Sequence, residues 1–152
     1  MKRILAIALL VAGGTAVWAD GDEEGEGFAR APANATYEAE CGACHLAYPA
    51  GFLPAASWSA IMATLPDHFG EDASLPPEQT TEIADYLQAN AGRGPQGLDS
   101  ANPPLRISEL PWFVGEHGSK LVARAKADPK IGTMSDCIAC HRGAAQGIFE
   151  DD

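Results

Sequence analysis

The sequence predicts a mainly α-helical chain in two small halves, and three observations carry that expectation. Apolar residues recur at helical spacing, no stretch shows strand alternation or a hairpin turn, and one five-residue pattern occurs twice. Its copies are Cys41-Gly42-Ala43-Cys44-His45 and Cys137-Ile138-Ala139-Cys140-His141. In C-x-x-C-H the two thiols are spaced to bond the two vinyl groups of one haem while the adjacent imidazole meets its iron, so the pattern reads as c-type haem attachment. The two copies use all four cysteines and leave no odd thiol. The expected cofactors are therefore two covalently bound haem c groups, on Cys41 and Cys44 and on Cys137 and Cys140, with His45 and His141 on the two irons.

Two other uses of four cysteines fit the pattern less well. A zinc ribbon separates its cysteine pairs by about 15–20 residues, far less than the stretch between Cys44 and Cys137, and needs no histidine after each pair. Disulfides suit an exported chain but place no demand on the following histidine either.

At the N-terminus, Lys2 and Arg3 precede an apolar run, Ile4 to Ala12, and a small-residue cleavage site at Val17-Trp18-Ala19. Together they describe a secretory signal peptide over 1–19, and with it a periplasmic location. The run is shorter than the roughly 20 residues of a membrane span, so no span is expected in the mature chain. Residues 20–30 follow as an acidic tail that is nearly free of apolar side chains and predicted to be disordered.

The first half is assigned to 31–92. A short helix runs through Tyr37 into Cys41, with Asn34 or Thr36 as its cap. After His45 a loop rich in Pro and Gly, Leu46 to Pro54, is apolar enough to cover a haem face. Trp58, Ile61, Met62 and Leu65 then mark one buried helical face that Pro66 ends, which leaves His68 on the turn beyond. A further helix spans Pro77 to Asn90, with Ile83, Tyr86 and Leu87 inward. The stretch 93–106 is rich in Gly and Pro and carries little periodic apolar signal, and is the expected linker.

The second half, 107–152, restarts at Ile107. Ser108 is expected to cap a helix running to His117, a second helical stretch covers Lys120 to Ala127, and the second C-x-x-C-H follows. Each half is of a size at which a side-chain core is marginal, and a buried porphyrin would supply the missing apolar centre.

Four histidines occur in all. Two belong to the motifs, leaving His68 and His117, one in each half, as candidates for the distal iron positions of haem 1 and haem 2. Methionine is the competing ligand and raises the potential. Met62 lies on an apolar stripe, and Met134 sits three residues before Cys137 on the proximal side.

Charge is strongly acidic, −11 overall, and −13 once Lys2 and Arg3 leave with the signal peptide. That balance argues against nucleic-acid binding, whose footprint is basic. From 31 to 92 there are eight acidic residues and no Lys or Arg, whereas 93–142 holds seven basic residues against five acidic ones.

Over Glu40 to Pro49, Ala55 to Trp58, His68 to Gly70, Asp72 to Leu75, Pro111 to Phe113, His117 and Cys137 to Gly147, the chain resembles the bacterial dihaem cytochrome c family often called DHC. The resemblance implies an N-terminal domain like class I cytochrome c, a less usual C-terminal haem fold, and bis-histidine coordination of both irons. It implies electron transfer with other redox proteins, in some members with a small oxygen-binding monohaem cytochrome. The family pattern leads one to expect a slightly longer tail after Phe149. The expected function is thus a periplasmic carrier of single electrons and not an enzyme. The alternatives are a haem enzyme or gas sensor with one open iron position, peroxidase-like, and a haem docking subunit of a membrane redox complex.

Overall fold

A computed structural model describes residues 31–149. The signal peptide and the acidic tail expected over 1–30 lie outside the described residues, as do 150–152. The described chain is mainly helical, with four α-helices joined by loops and 3-10 turns and no strand among the described residues.

Helix α1 spans Ala35–Cys41. Asn34 caps it, its side-chain oxygen accepting from the Tyr37 N–H at 2.7 Å, which satisfies one of the amides a helix start leaves open. Helix α2 spans Ala55–Ala63 and buries Ser57, Trp58 and Ile61. The Trp58 Nε1–H donates to the Ala50 carbonyl at 2.7 Å, so the indole pins the preceding loop onto the helix. A 3-10 turn, Leu65–Asp67, with Pro66 inside it, follows directly. Helix α3, Pro77–Ala89, opens on its own proline and turns Ile83 and Leu87 into the interior against α2.

After α3 the backbone doubles back on the loop before α2. The Gly92 N–H donates to the Leu53 carbonyl at 2.9 Å, and a Cβ at Gly92 would lie 1.9 Å from the Gly51 carbonyl oxygen. Only glycine permits that approach.

The second half starts with a 3-10 turn, Ile107–Glu109, and continues in α4, Pro111–Ala127. Ser108, expected as the cap, lies inside the turn instead; Leu110 holds the cap position without a side-chain bond, and Pro111 with its preset φ begins the helix. The two helical stretches expected on either side of 118 are present within this span and meet at a kink, because Gly118 takes the non-helical φ 63 and ψ 153. Short 3-10 turns, Cys137–Ala139 and Ala144–Gln146, complete the chain.

Tyr37, Ala50, Leu53, Trp58, Ile61, Ile83 and Leu87 form one hydrophobic cluster with Leu110 and Phe113, so apolar side chains from both halves meet. Leu105, from the expected linker, packs against the same cluster. No described helix is long and apolar enough to cross a membrane.

Candidate functional site

Cys41 is the last residue of α1, and turns through Gly42 to Cys44 carry the chain to His45. The His45 Nδ1–H donates to the Leu46 carbonyl at 2.7 Å. A carbonyl only accepts, so the proton sits on Nδ1 and Nε2 keeps its lone pair, the form a metal ligand needs. The Tyr48 ring stacks on this imidazole, centroids 4.9 Å apart.

His68 reaches the same place from the end of the Leu65–Asp67 turn. Its backbone exchanges two hydrogen bonds with Glu71, at 2.7 and 3.2 Å, closing a tight reversal over Phe69 and Gly70. Both central residues have positive φ, 58 and 101, as the hairpin turns that match strand twist require. The ring centroids of His68 and His45 are 6.2 Å apart. Burial, and then the neighbouring His45, hold His68 below its ordinary pKa range, favouring the neutral ring. Beside it lies a cleft of about 460 Å³ walled by Ile61, Thr64, Phe69 and Leu105, with Arg106 among its lining residues.

In the second half the Asp136 side chain accepts from the Ala139 N–H at 3.3 Å and the His141 N–H bonds the Cys137 carbonyl at 2.8 Å, so the motif winds as a single turn. His117 projects from α4, its Nδ1–H donating to the Phe113 carbonyl at 2.9 Å, and its ring centroid lies 6.0 Å from that of His141. Phe149 packs on His141 at 5.7 Å and on Phe52, from the first half, at 5.0 Å.

Each motif histidine thus faces one histidine from its own half. Metal–imidazole bonds of about 2.0–2.1 Å, with roughly 1 Å more from each nitrogen to its ring centre, set two imidazoles on opposite sides of one ion at centroids about 6 Å apart. Both observed separations fit an iron between the rings. Among the described residues no cluster of three or more His, Cys, Asp or Glu converges as a metal site, so the cysteine pairs do not share one zinc. Nor are they disulfide-bonded. In the haem-free chain burial, followed by the charge of Glu40, pushes the Cys41 thiol up to about 11, and burial followed by Asp136 raises that of Cys137.

Met62 and Met134 both pack against the hydrophobic core cluster. Sequence reasoning passed over three aromatic residues that shape the sites. Tyr48 and Phe113 had a local signal, an aromatic three residues after one histidine and one helical turn before another. Phe149 had none, since its partners Phe52 and His141 meet it only in the folded chain.

A family model described as dihaem cytochrome c matches residues 37–149. Among solved structures the chain is similar to a diheme cytochrome c from Rhodobacter sphaeroides, with 48% identity, coverage of 80% of this chain and 100% of that one, and a TM-score of 0.70. It is also similar to a diheme cytochrome type c from Shewanella baltica OS155, with 42% identity, coverage of 78% and 89%, and a TM-score of 0.67. No curated protein matches.

Proposed function

Because the chain belongs to the dihaem cytochrome c family and so carries two covalently attached haem c groups, we propose that it is a periplasmic single-electron carrier with both irons held between two histidines. His45 and His68 would hold the first iron, and His141 and His117 the second. The observation that carries this reading is the pairing itself: each attachment motif faces one further imidazole, at 6.2 Å in one half and 6.0 Å in the other.

The haem supplies a one-electron couple; the protein supplies its surroundings. Two imidazoles without an axial sulfur favour a low potential. The Leu46 and Phe113 carbonyls fix His45 and His117 in the tautomer that presents Nε2. With two histidines on each iron there would be no place for a substrate at either metal, which favours a carrier over a peroxidase-like enzyme or gas sensor.

Export rests on the signal-peptide pattern at the N-terminus. The partner we propose is a basic redox protein, such as a monohaem cytochrome, because seven of the eight carboxylates between 31 and 92 are exposed and no Lys or Arg lies among them. Absorption spectra of the purified holoprotein test the ligation. Low-spin bands from both haems, with no rapid carbon monoxide binding after reduction, are expected. A high-spin band without denaturant overturns bis-histidine ligation.

A further inference from the structure

Tyr48 reaches from the first attachment motif to the residue two positions before the second. Its ring stacks on His45, the motif histidine of the first site, at 4.9 Å and an interplanar angle of 21°. Its hydroxyl donates to the Ser135 carbonyl at 2.8 Å, across 87 positions of sequence. That same carbonyl oxygen lies 3.8 Å from the Cys137 sulfur, the first attachment atom of the second site. Tyr48 is also held from behind, since the buried Tyr37 hydroxyl donates to its backbone carbonyl. A loop residue next to a C-x-x-C-H motif needs none of these bonds merely to continue the chain. The hydroxyl, in particular, serves no partner in its own half.

We propose that Tyr48 is the positioning residue that joins the two redox sites, fixing the first motif against the second and providing a connection between them. The connection runs from the His45 ring to the Tyr48 ring, through its hydroxyl to the Ser135 carbonyl, and on to the Cys137 sulfur. Exchange along it is balanced: one iron passes from ferrous to ferric as the other passes from ferric to ferrous. No proton moves, because the Ser135 carbonyl accepts the hydrogen bond without taking the hydroxyl proton. A partly buried hydrogen-bonded contact also couples the sites electrostatically, since a local dielectric below that of water weakens screening.

The inference rests on the electron-carrier reading above, and Tyr48→Phe separates the two. Phenylalanine keeps the ring on His45 and the backbone carbonyl that Tyr37 grips, and removes only the bond to Ser135. In the holoprotein we expect both haems attached and low-spin, and interhaem exchange after photoreduction slowed several-fold. The dependence of the second reduction step on the first should weaken in a redox titration. Amide hydrogen exchange over 135–139 should rise about fivefold, the equivalent of about 1 kcal/mol for one lost hydrogen bond. An interhaem rate equal to that of the unaltered chain overturns the proposal. A slower rate accompanied by a changed low-spin spectrum of the first haem also overturns it, because the hydroxyl would then be acting on ligation at His45. High-spin iron in the unaltered protein speaks against the ligation reading and leaves the comparison of interhaem rates as the measure of Tyr48.

Discussion

The His117 ring lies stacked on Phe113, centroids 3.9 Å apart and nearly parallel, while its Nδ1–H donates to the carbonyl of that same residue at 2.9 Å. One residue of α4 therefore fixes both the plane and the tautomer of another, one helical turn on. Gly118, at φ 63, breaks the helix immediately afterwards, so the His117 backbone ends a rigid segment. Phe113 is buried in the shared hydrophobic cluster, and this ties the orientation of His117 to the packing between the halves.

His68→Ala and His117→Ala test the pairing separately. The first is expected to convert only the haem on Cys41 and Cys44 to a high-spin, carbon monoxide-binding form, and the second only the haem on Cys137 and Cys140. Spectra recorded with selective reduction resolve the two. Loss of low-spin character at the opposite haem in either variant would mean that ligands cross between halves.

Two neighbours in α2 predict stability changes of opposite sign. Trp58→Phe keeps an aromatic ring but leaves the Ala50 carbonyl buried without its donor, a loss of about 1–3 kcal/mol. Ser57 is fully buried and its hydroxyl has no hydrogen-bond partner among the described residues. Ser57→Ala removes that orphan and raises helix propensity, so it should stabilise by about 0.5–1 kcal/mol. Denaturant unfolding of the holoproteins measures both. A destabilised Ser57→Ala would show that the hydroxyl has a partner in the holoprotein.

What the sequence made legible is chemistry with a local address. The cysteine spacing, the histidine after each pair and the two spare histidines are read one residue at a time, as are the Asn34 cap and the stop at Pro66. Ser108 was misread as a cap because the local rule sees a polar residue before an apolar run, whereas Pro111, three positions later, decides where helical backbone begins. The Tyr48 bond to Ser135, the Phe149 contacts and the Arg106 guanidinium over Phe69 escaped because each joins residues far apart in the chain. No periodicity or motif encodes such a meeting.

Phe69 occupies left-handed backbone, φ 58, at roughly 1–2 kcal/mol for a residue with a Cβ. The Arg106 guanidinium, 4.3 Å above its ring, offsets part of that with a contact of about 0.5–1 kcal/mol at an exposed site, and the paired His68 and Glu71 backbone hydrogen bonds close the turn. Both Phe69→Gly and Phe69→Ala lose that contact, but only glycine relieves the strain. Phe69→Gly should therefore be the more stable of the two by about 1 kcal/mol, the reverse of the usual order. Equal stability in denaturant titrations would mean that the turn beside His68 relaxes without cost. The ring also meets His68 edge-on at 4.9 Å, so both variants should shift the potential of the first haem.

The charge distribution predicts how a redox partner would be found. Glu38, Asp67, Glu71, Asp72, Glu78, Glu82 and Asp85 are exposed on the first half, and among the described residues none of them forms an ion pair; the salt bridge there, Arg106 with Glu109 at 3.8 Å, lies outside this span. A field of one sign raises association rates with an oppositely charged protein. Solvation alone would account for scattered surface carboxylates, but not for the complete exclusion of Lys and Arg from 31–92 beside a more basic remainder. A basic partner should dock on the first half and exchange electrons through the first haem. Screening lengths fall from about 30 Å at 0.01 M salt to about 10 Å at 0.1 M, so the second-order rate should drop across that range. Charge reversal at Glu71 and Asp72 to Lys should lower the rate at 0.01 M and flatten the salt dependence. A rate that is unchanged or rises with salt, for a partner that reduces or oxidises this protein in the cell, would assign docking to the second half and its haem.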